Sequence, residues 1–114
     1  MGEDRSSLLQ GTLELLVLQV LSVAPMHGWG IGERIAEITG EVLVVNQGSL
    51  YPALQRLRAR GWVRTEWHRT ENNRRARYYV LTRAGAKQLG VELAAWREAS
   101  DAVERVLSWR PAES

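Results

Sequence analysis

From Leu8 to Val23 apolar residues fill nearly every position (Leu8, Leu9, Leu13, Leu15, Leu16, Val17, Leu18, Val20 and Leu21), with Thr12 and Glu14 near the start. A helix lying on a protein surface shows a wider polar face than this. The segment therefore predicts a helix that packs on its own domain along one side and on a subunit partner along the other. Pro25 closes it, and His27-Gly28-Trp29-Gly30 turns the chain into a second helix. In that helix Trp29, Ile31, Ile35 and Ile38 are expected inward, Glu33, Arg34 and Glu37 outward, and Gly40 ends it. Val42 to Val45 is an aliphatic, β-branched run long enough for a short strand but not for a helix.

A third helix is predicted from Asn46 or Gln47 to Arg60, with Gly61 as a left-handed C-terminal cap. Leu50, Ala53, Leu54 and Leu57 repeat at helical spacing and must face the core. At about 100° per residue the opposite face collects Gly48, Tyr51, Pro52, Gln55, Arg56 and Ala59, flanked by Ser49 and Arg60. Pro52 costs a backbone hydrogen bond beyond the first turn, which places it near the helix N-terminus. Trp62 to His68 then alternates Val63, Thr65 and Trp67 against Arg64, Glu66 and His68, and Ala76 to Leu81 is rich in Tyr and Val. The polar stretch Arg69 to Arg75 between them contains an Asn-Asn pair suited to a turn, so the two strands form a hairpin. Thr82 sits where an N-cap is wanted. A long helix follows from Arg83 to Trp109, with Leu89, Leu93, Trp96, Val103, Val106 and Leu107 on its apolar side. Met1 to Ser7 and Pro111 to Ser114 read as polar tails.

Charge sharpens the picture. The 114-residue chain has a net charge of +2, but Asn46 to Arg83 holds nine arginines against two glutamates, a local surplus of +7. An all-arginine middle third looks built to meet a polyanion. The absence of cysteine removes disulfides and cysteine-ligated zinc, and His27 and His68 alone leave no expected metal site. No cofactor is expected. The run Leu13 to Ala24, broken by Glu14 and Gln19, is too short for a bilayer of about 30 Å, so no membrane span and a cytoplasmic location are expected. Paired carboxylates, a nucleophile with its base and a phosphate-cradling loop are all missing from the pattern, which argues against an enzyme.

The element order describes a mainly α fold with a small β hairpin, that of a winged helix-turn-helix whose third helix enters a major groove. Residues 8–81 form this unit and 82–109 the long C-terminal helix. Ser49, Tyr51, Gln55 and Arg56 offer the donors, acceptors and apolar surface that base edges require, while Arg74, Arg75 and Arg77 suit phosphates or a narrow minor groove. Tyr51 is open to a second reading, as a ring packed on a neighbour. Tyr78 and Tyr79 are consecutive on a strand, so one faces the core and the other the opposite side. His27, beside glycines in a turn, reads as a cap, and His68 as solvent-facing.

The segments LLQGTLELLVL, HGWGIGERI, QGSLYPALQRLRARGWV and NNRRARYYVLTRAG resemble the PadR family of bacterial transcriptional regulators across Leu8 to Leu107. The resemblance implies a dimeric winged-helix DNA-binding protein and repression relieved by a small molecule or stress signal. The family's recognition helix falls on Gln47 to Arg60, with Ser49, Tyr51 and Pro52 in its signature, its wing on Trp62 to Leu81 and its dimerisation helix on Arg83 to Leu107. This chain is similar to the short members with one C-terminal helix. The expected partners are double-stranded DNA, read at a pseudo-palindromic operator with half-sites about 34 Å apart, and a second copy of the chain. The expected dimer interface comprises Leu9, Leu13, Leu16, Leu93, Trp96, Val103, Val106 and Leu107. Trp96 carries two readings: interface core, or, by similarity to multidrug-responsive relatives, the wall of a slot for a planar inducer. A winged-helix docking module that does not bind DNA is the rival function.

Overall fold

The computed structural model describes the backbone of residues 2–112 and the side chains of residues 12–112. The order is α1 (Gly2–Val23), β1 (Met26–His27), α2 (Gly28–Ile38), α3 (Gln47–Ala59), β2 (Val63–Arg69), β3 (Arg75–Leu81) and α4 (Arg83–Ser108). Three helix starts are capped by the side chain just before them. His27 Nδ1 accepts from Gly30 N–H at 3.1 Å, Asn46 Oδ1 from Ser49 N–H at 2.8 Å, and Thr82 Oγ1 from Gly85 N–H at 3.0 Å. Each satisfies an amide that a helix start leaves unpaired. After α3, Gly61 takes the left-handed conformation (φ +77°) that the sequence reading required of it.

The core gathers Leu13, Val17, Leu18, Val20 and Leu21 of α1, Ile31 and Ile35 of α2, and Leu50, Ala53, Leu54 and Leu57 of α3, closed by Val45, Val63, Tyr79 and Leu89. Full burial of each large aliphatic is worth about 1.5–3 kcal/mol. The α3 residues are the four expected to face inward. α1 touches α2, α3, α4 and β3, which accounts for the burial of Leu13, Val17, Leu18, Val20 and Leu21 within the chain. Leu13, expected at a dimer interface, is therefore only 2% exposed within its own chain, and Leu16 is half-buried against the same core. The side chain of Leu9 lies outside the described residues.

The strand expected at Val42–Val45 does not form. Thr39 binds this segment back to α2: its carbonyl accepts from Val42 N–H at 3.2 Å, and its Oγ1 accepts from Leu43 N–H at 3.1 Å. Only Val45 is buried there, so local hydrogen bonds and the tertiary setting override β propensity. The third strand is β1 instead, and the sheet order is β1-β3-β2, fully antiparallel. Trp29 and Ile38 are exposed rather than inward. The buried stripe of α2 is Gly28, Ile31, Gly32 and Ile35, which leaves Trp29 beside it, and Ile38 is the last residue of the helix. Pro52 lies inside α3, a turn deeper than expected. Its missing N–H leaves the carbonyl of the exposed Gly48 without its helical donor.

α4 leaves the wing under tight constraint. Thr82 N–H donates to the Trp62 carbonyl (3.1 Å) and Thr82 Oγ1 to the Gly61 carbonyl (2.7 Å). A Cβ on Gly85 would stand 2.0 Å from the Trp62 oxygen, so only glycine fits. Gly85 and Leu89 are buried and Leu93 half-buried, after which the helix runs free of the body. The radius of gyration, 16.9 Å, and the extents of 70 × 30 × 20 Å record that projection; a compact chain of this length would have a radius near 13 Å.

Candidate nucleic-acid interface

α3 and the wing face each other across an open groove of about 940 Å³. Tyr51 and Gln55 form its helical side, Arg74, Arg75 and Arg77 with Asn72 its wing side, and His27, Gly28 and Trp29 its end. Core packing of Leu50, Leu54 and Leu57 turns the opposite side of α3 outward, so the placement of Tyr51 and Gln55 follows from where the leucines go. Tyr51 is 42% exposed. Its ring lies on the backbone of Gly28, where a Cβ would come within 2.8 Å of Cε1. The ring packs on α2, and its free edge looks into the groove.

The other expected contacts divide. Ser49 and Gln47 are half-buried and Pro52 exposed, and none of the three lines this groove. Gln47 borders a second hollow, about 680 Å³, between α2 and the loop that follows it. Arg56 is already engaged: its Nε donates to Glu14 Oε2 at 2.8 Å, while Arg60 reaches Glu14 Oε1 at 2.9 Å. These two arginines fasten α3 to α1.

The wing is two-faced. On one face Glu66 is held by Arg64 and by His68 Nε2 (2.9 Å). These hydrogen bonds, that of His68 foremost, hold the Glu66 carboxyl below its ordinary pKa of 4.5. The His68 ring stacks on Tyr78 at 4.7 Å, and Tyr78 meets His27 edge-on at 5.6 Å. Tyr79, its neighbour, is buried on the opposite face. That face continues past the core to Trp67, whose ring carries the guanidinium of Arg75 at 4.8 Å and that of Arg77 at 5.4 Å. The turn is closed by Thr70 N–H donating to Arg74 O at 2.8 Å, with Asn73 left-handed (φ +59°) and its side chain bound by Arg69 at 2.8 Å.

Sequence reasoning missed Trp67, Gly28 and Trp29 as parts of the site. The Trp67 signal was present in the pattern, since a tryptophan continuing the core face beyond the last core residue must cover something other than the core. Among the described residues there is no cluster of metal-ligating side chains, and no helix is long and apolar enough to cross a membrane.

A helix presented beside an arginine-tipped hairpin defines a winged helix-turn-helix of the DNA-binding kind. The chain belongs to the transcriptional regulator PadR-like family, whose pattern it matches over residues 17–91. It is accordingly a transcriptional regulator and not an enzyme. It is similar to a PadR family transcriptional regulator from Eggerthella lenta (27% identity, TM-score 0.81, 96% of this chain and 93% of that one). It is also similar to a PadR-like transcription factor from Bacteroides fragilis (29% identity, TM-score 0.71, 91% and 98%). An uncharacterized 37.1 kDa protein in transposon TN4556 of Streptomyces fradiae is 40% identical over 76 residues, which are 67% of this chain and 20% of that protein.

Proposed function

We propose that the protein is a homodimeric repressor that reads a pseudo-palindromic operator with α3 in successive major grooves and rests the wing on phosphates or in the adjoining minor groove. The observation that carries this reading is the groove itself: Tyr51 and Gln55 on one side and, on the other, three arginines that form no salt bridge with any carboxylate among the described residues. Base edges are read by the first set and the backbone by the second.

The second copy is supported by α4. Leu89, Leu93, Trp96, Ser100, Val103 and Leu107 fall at alternating spacings of four and three, the seam of a left-handed helix pair. Trp96, Val103, Val106 and Leu107 are exposed along the free half of the helix, which extends the candidate dimer face from the half-buried Leu93 to the end of α4. Repression follows from occupancy of promoter DNA by such a dimer. A planar inducer between two copies of Trp96 would relieve it, and Trp96 at 44% exposed has a ring face to offer.

Fluorescence anisotropy on operator and scrambled duplexes tests the core of this reading. Tyr51→Ala is expected to lose about 1–3 kcal/mol of discrimination, and Arg74→Ala to weaken both duplexes about equally. With three arginines per subunit on phosphate, the dimer should show a salt slope near −5, reduced by about 2 in Arg74→Ala. Equal binding of the two duplexes by the wild type, or an unaltered slope in Arg74→Ala, refutes it. For the dimer, Val103→Glu should sediment as a monomer where the wild type does not.

A further inference from the structure

We propose that Trp67 is the positioning residue of the wing: its indole holds Arg75 and Arg77 in the orientation that meets DNA, without consuming the donors they use there. The proposal rests on the reading of the wing as a DNA contact and names the device that makes that contact specific in geometry. Trp67 is 56% exposed, too open to be explained by the core. In the sheet register it stands directly opposite Arg77, and Arg75 is the diagonal neighbour, opposite Arg69. Both guanidiniums lie over the same ring, at 4.8 and 5.4 Å.

The chemistry of the holder decides what the held group can still do. Arg56, Arg60 and Arg64 are fixed by carboxylates, which occupy N–H donors and cancel charge. A ring under a guanidinium takes only its flat face; the N–H groups at its edge and the full positive charge remain for phosphate. Arginine side chains are rich in rotamers, so ordering two of them before DNA arrives removes part of the entropic cost of docking. The opposite face of the hairpin carries Glu66 and its two partners, so Trp67 also marks which face of the wing turns to the nucleic acid.

The test compares Trp67→Leu, Trp67→Tyr and the double variant Arg75→Ala/Arg77→Ala for affinity to operator and random duplex, salt slope and thermal midpoint. Trp67→Leu, which keeps an apolar side chain but removes the π face, is expected to weaken both duplexes by about three- to tenfold. Its melting temperature should be close to wild type and its salt slope unchanged, because the arginines still reach phosphate once ordered. Trp67→Tyr restores most of the affinity. If Trp67→Leu binds as wild type while the double arginine variant loses affinity, the wing touches DNA but the positioning role is refuted. If the double arginine variant also binds as wild type, the wing reading falls and takes this proposal with it. If Trp67→Tyr is no better than Trp67→Leu, the π face is not what matters and the proposal is overturned.

Discussion

Replacing Gly85 with alanine should unfold the protein at a lower temperature even though alanine is the better helix former. α4 crosses the start of the wing so closely that a built Cβ meets Trp62 O at 2.0 Å, Leu81 Cδ1 at 2.7 Å and Trp62 C at 2.9 Å. Two of these atoms are backbone and cannot swing aside. Relief requires the first turn of α4 to back away, stretching the bonds from Thr82 N–H to Trp62 O and from Thr82 Oγ1 to Gly61 O. Overpacking costs about 1–3 kcal/mol and each weakened bond about 0.5–1.5 kcal/mol, against about 1 kcal/mol returned by helix propensity. The net expectation is ~2–4 kcal/mol of destabilisation, a fall of roughly 10–20 °C in Tm. Gly90 supplies the control, since it lies in the same helix, is exposed, and has nothing within 4 Å of its built Cβ. Gly90→Ala should therefore raise Tm, by up to about 1 kcal/mol in stability. Melts followed by circular dichroism at one protein concentration compare the two substitutions directly. A Gly85→Ala protein as stable as Gly90→Ala would show that α4 does not pass this close to Trp62.

Gly28→Ala poses the same steric question at the end of the groove: the atoms in the way, Tyr51 Cε1 and Oη at 2.8 and 2.9 Å, belong to a side chain that can rotate outward. Stability should change by less than about 1 kcal/mol, while discrimination between operator and random duplex falls toward that of Tyr51→Ala; unchanged discrimination would mean the seat on α2 is irrelevant to reading. Glu66 should titrate below 4.5 in a carboxyl NMR experiment, because His68 and Arg64 favour its ionised form. A carboxyl depressed in this way stabilises the fold above its unfolded pKa and loses that contribution as pH falls through the folded value. His68→Ala should move the midpoint back up, and a midpoint at or above 4.5 in the wild type would contradict the pairing.

What could be read from the chain beforehand depended on whether a residue's environment was local. The inward face of α3 was legible because Leu50, Ala53, Leu54 and Leu57 share one helical stripe. The His27 and Thr82 caps and the turn at Gly61 were legible for the same reason, as each is decided by two or three neighbouring residues. The strand at Val42–Val45 was misread because pairing is a tertiary event. β3 was already paired at that edge by Met26 and His27, a strand too short to leave a periodic signal. Leu13 lies in the core of its own chain, a place the sequence could not tell from a subunit interface, because a helix surrounded by its own domain and one shared by two subunits write the same apolar run. Arg56 lies far from Glu14 in sequence, and nothing in the spacing tells that its guanidinium is engaged.

That last point changes how the basic middle third should be counted. Nine arginines between Asn46 and Arg83 would, if all met phosphate in a dimer, give a salt slope near −16. Arg56 and Arg60 are bound to Glu14 and Arg64 to Glu66, and Arg69 holds Asn73. A guanidinium engaged in this way must give up a formed contact before it can take a phosphate, so its net return is small. Among the described residues Arg74, Arg75 and Arg77 have no such side-chain partner: the last two rest on a ring that leaves their charge intact, and all three line the groove opposite α3. The same residue type is thus divided between arginines engaged within the fold and arginines left open at the groove, with the exposed Arg58 and Arg83 outside that division. A slope near −5 is expected if only the three groove arginines of each subunit meet phosphate, whereas all nine would give a value about three times as steep.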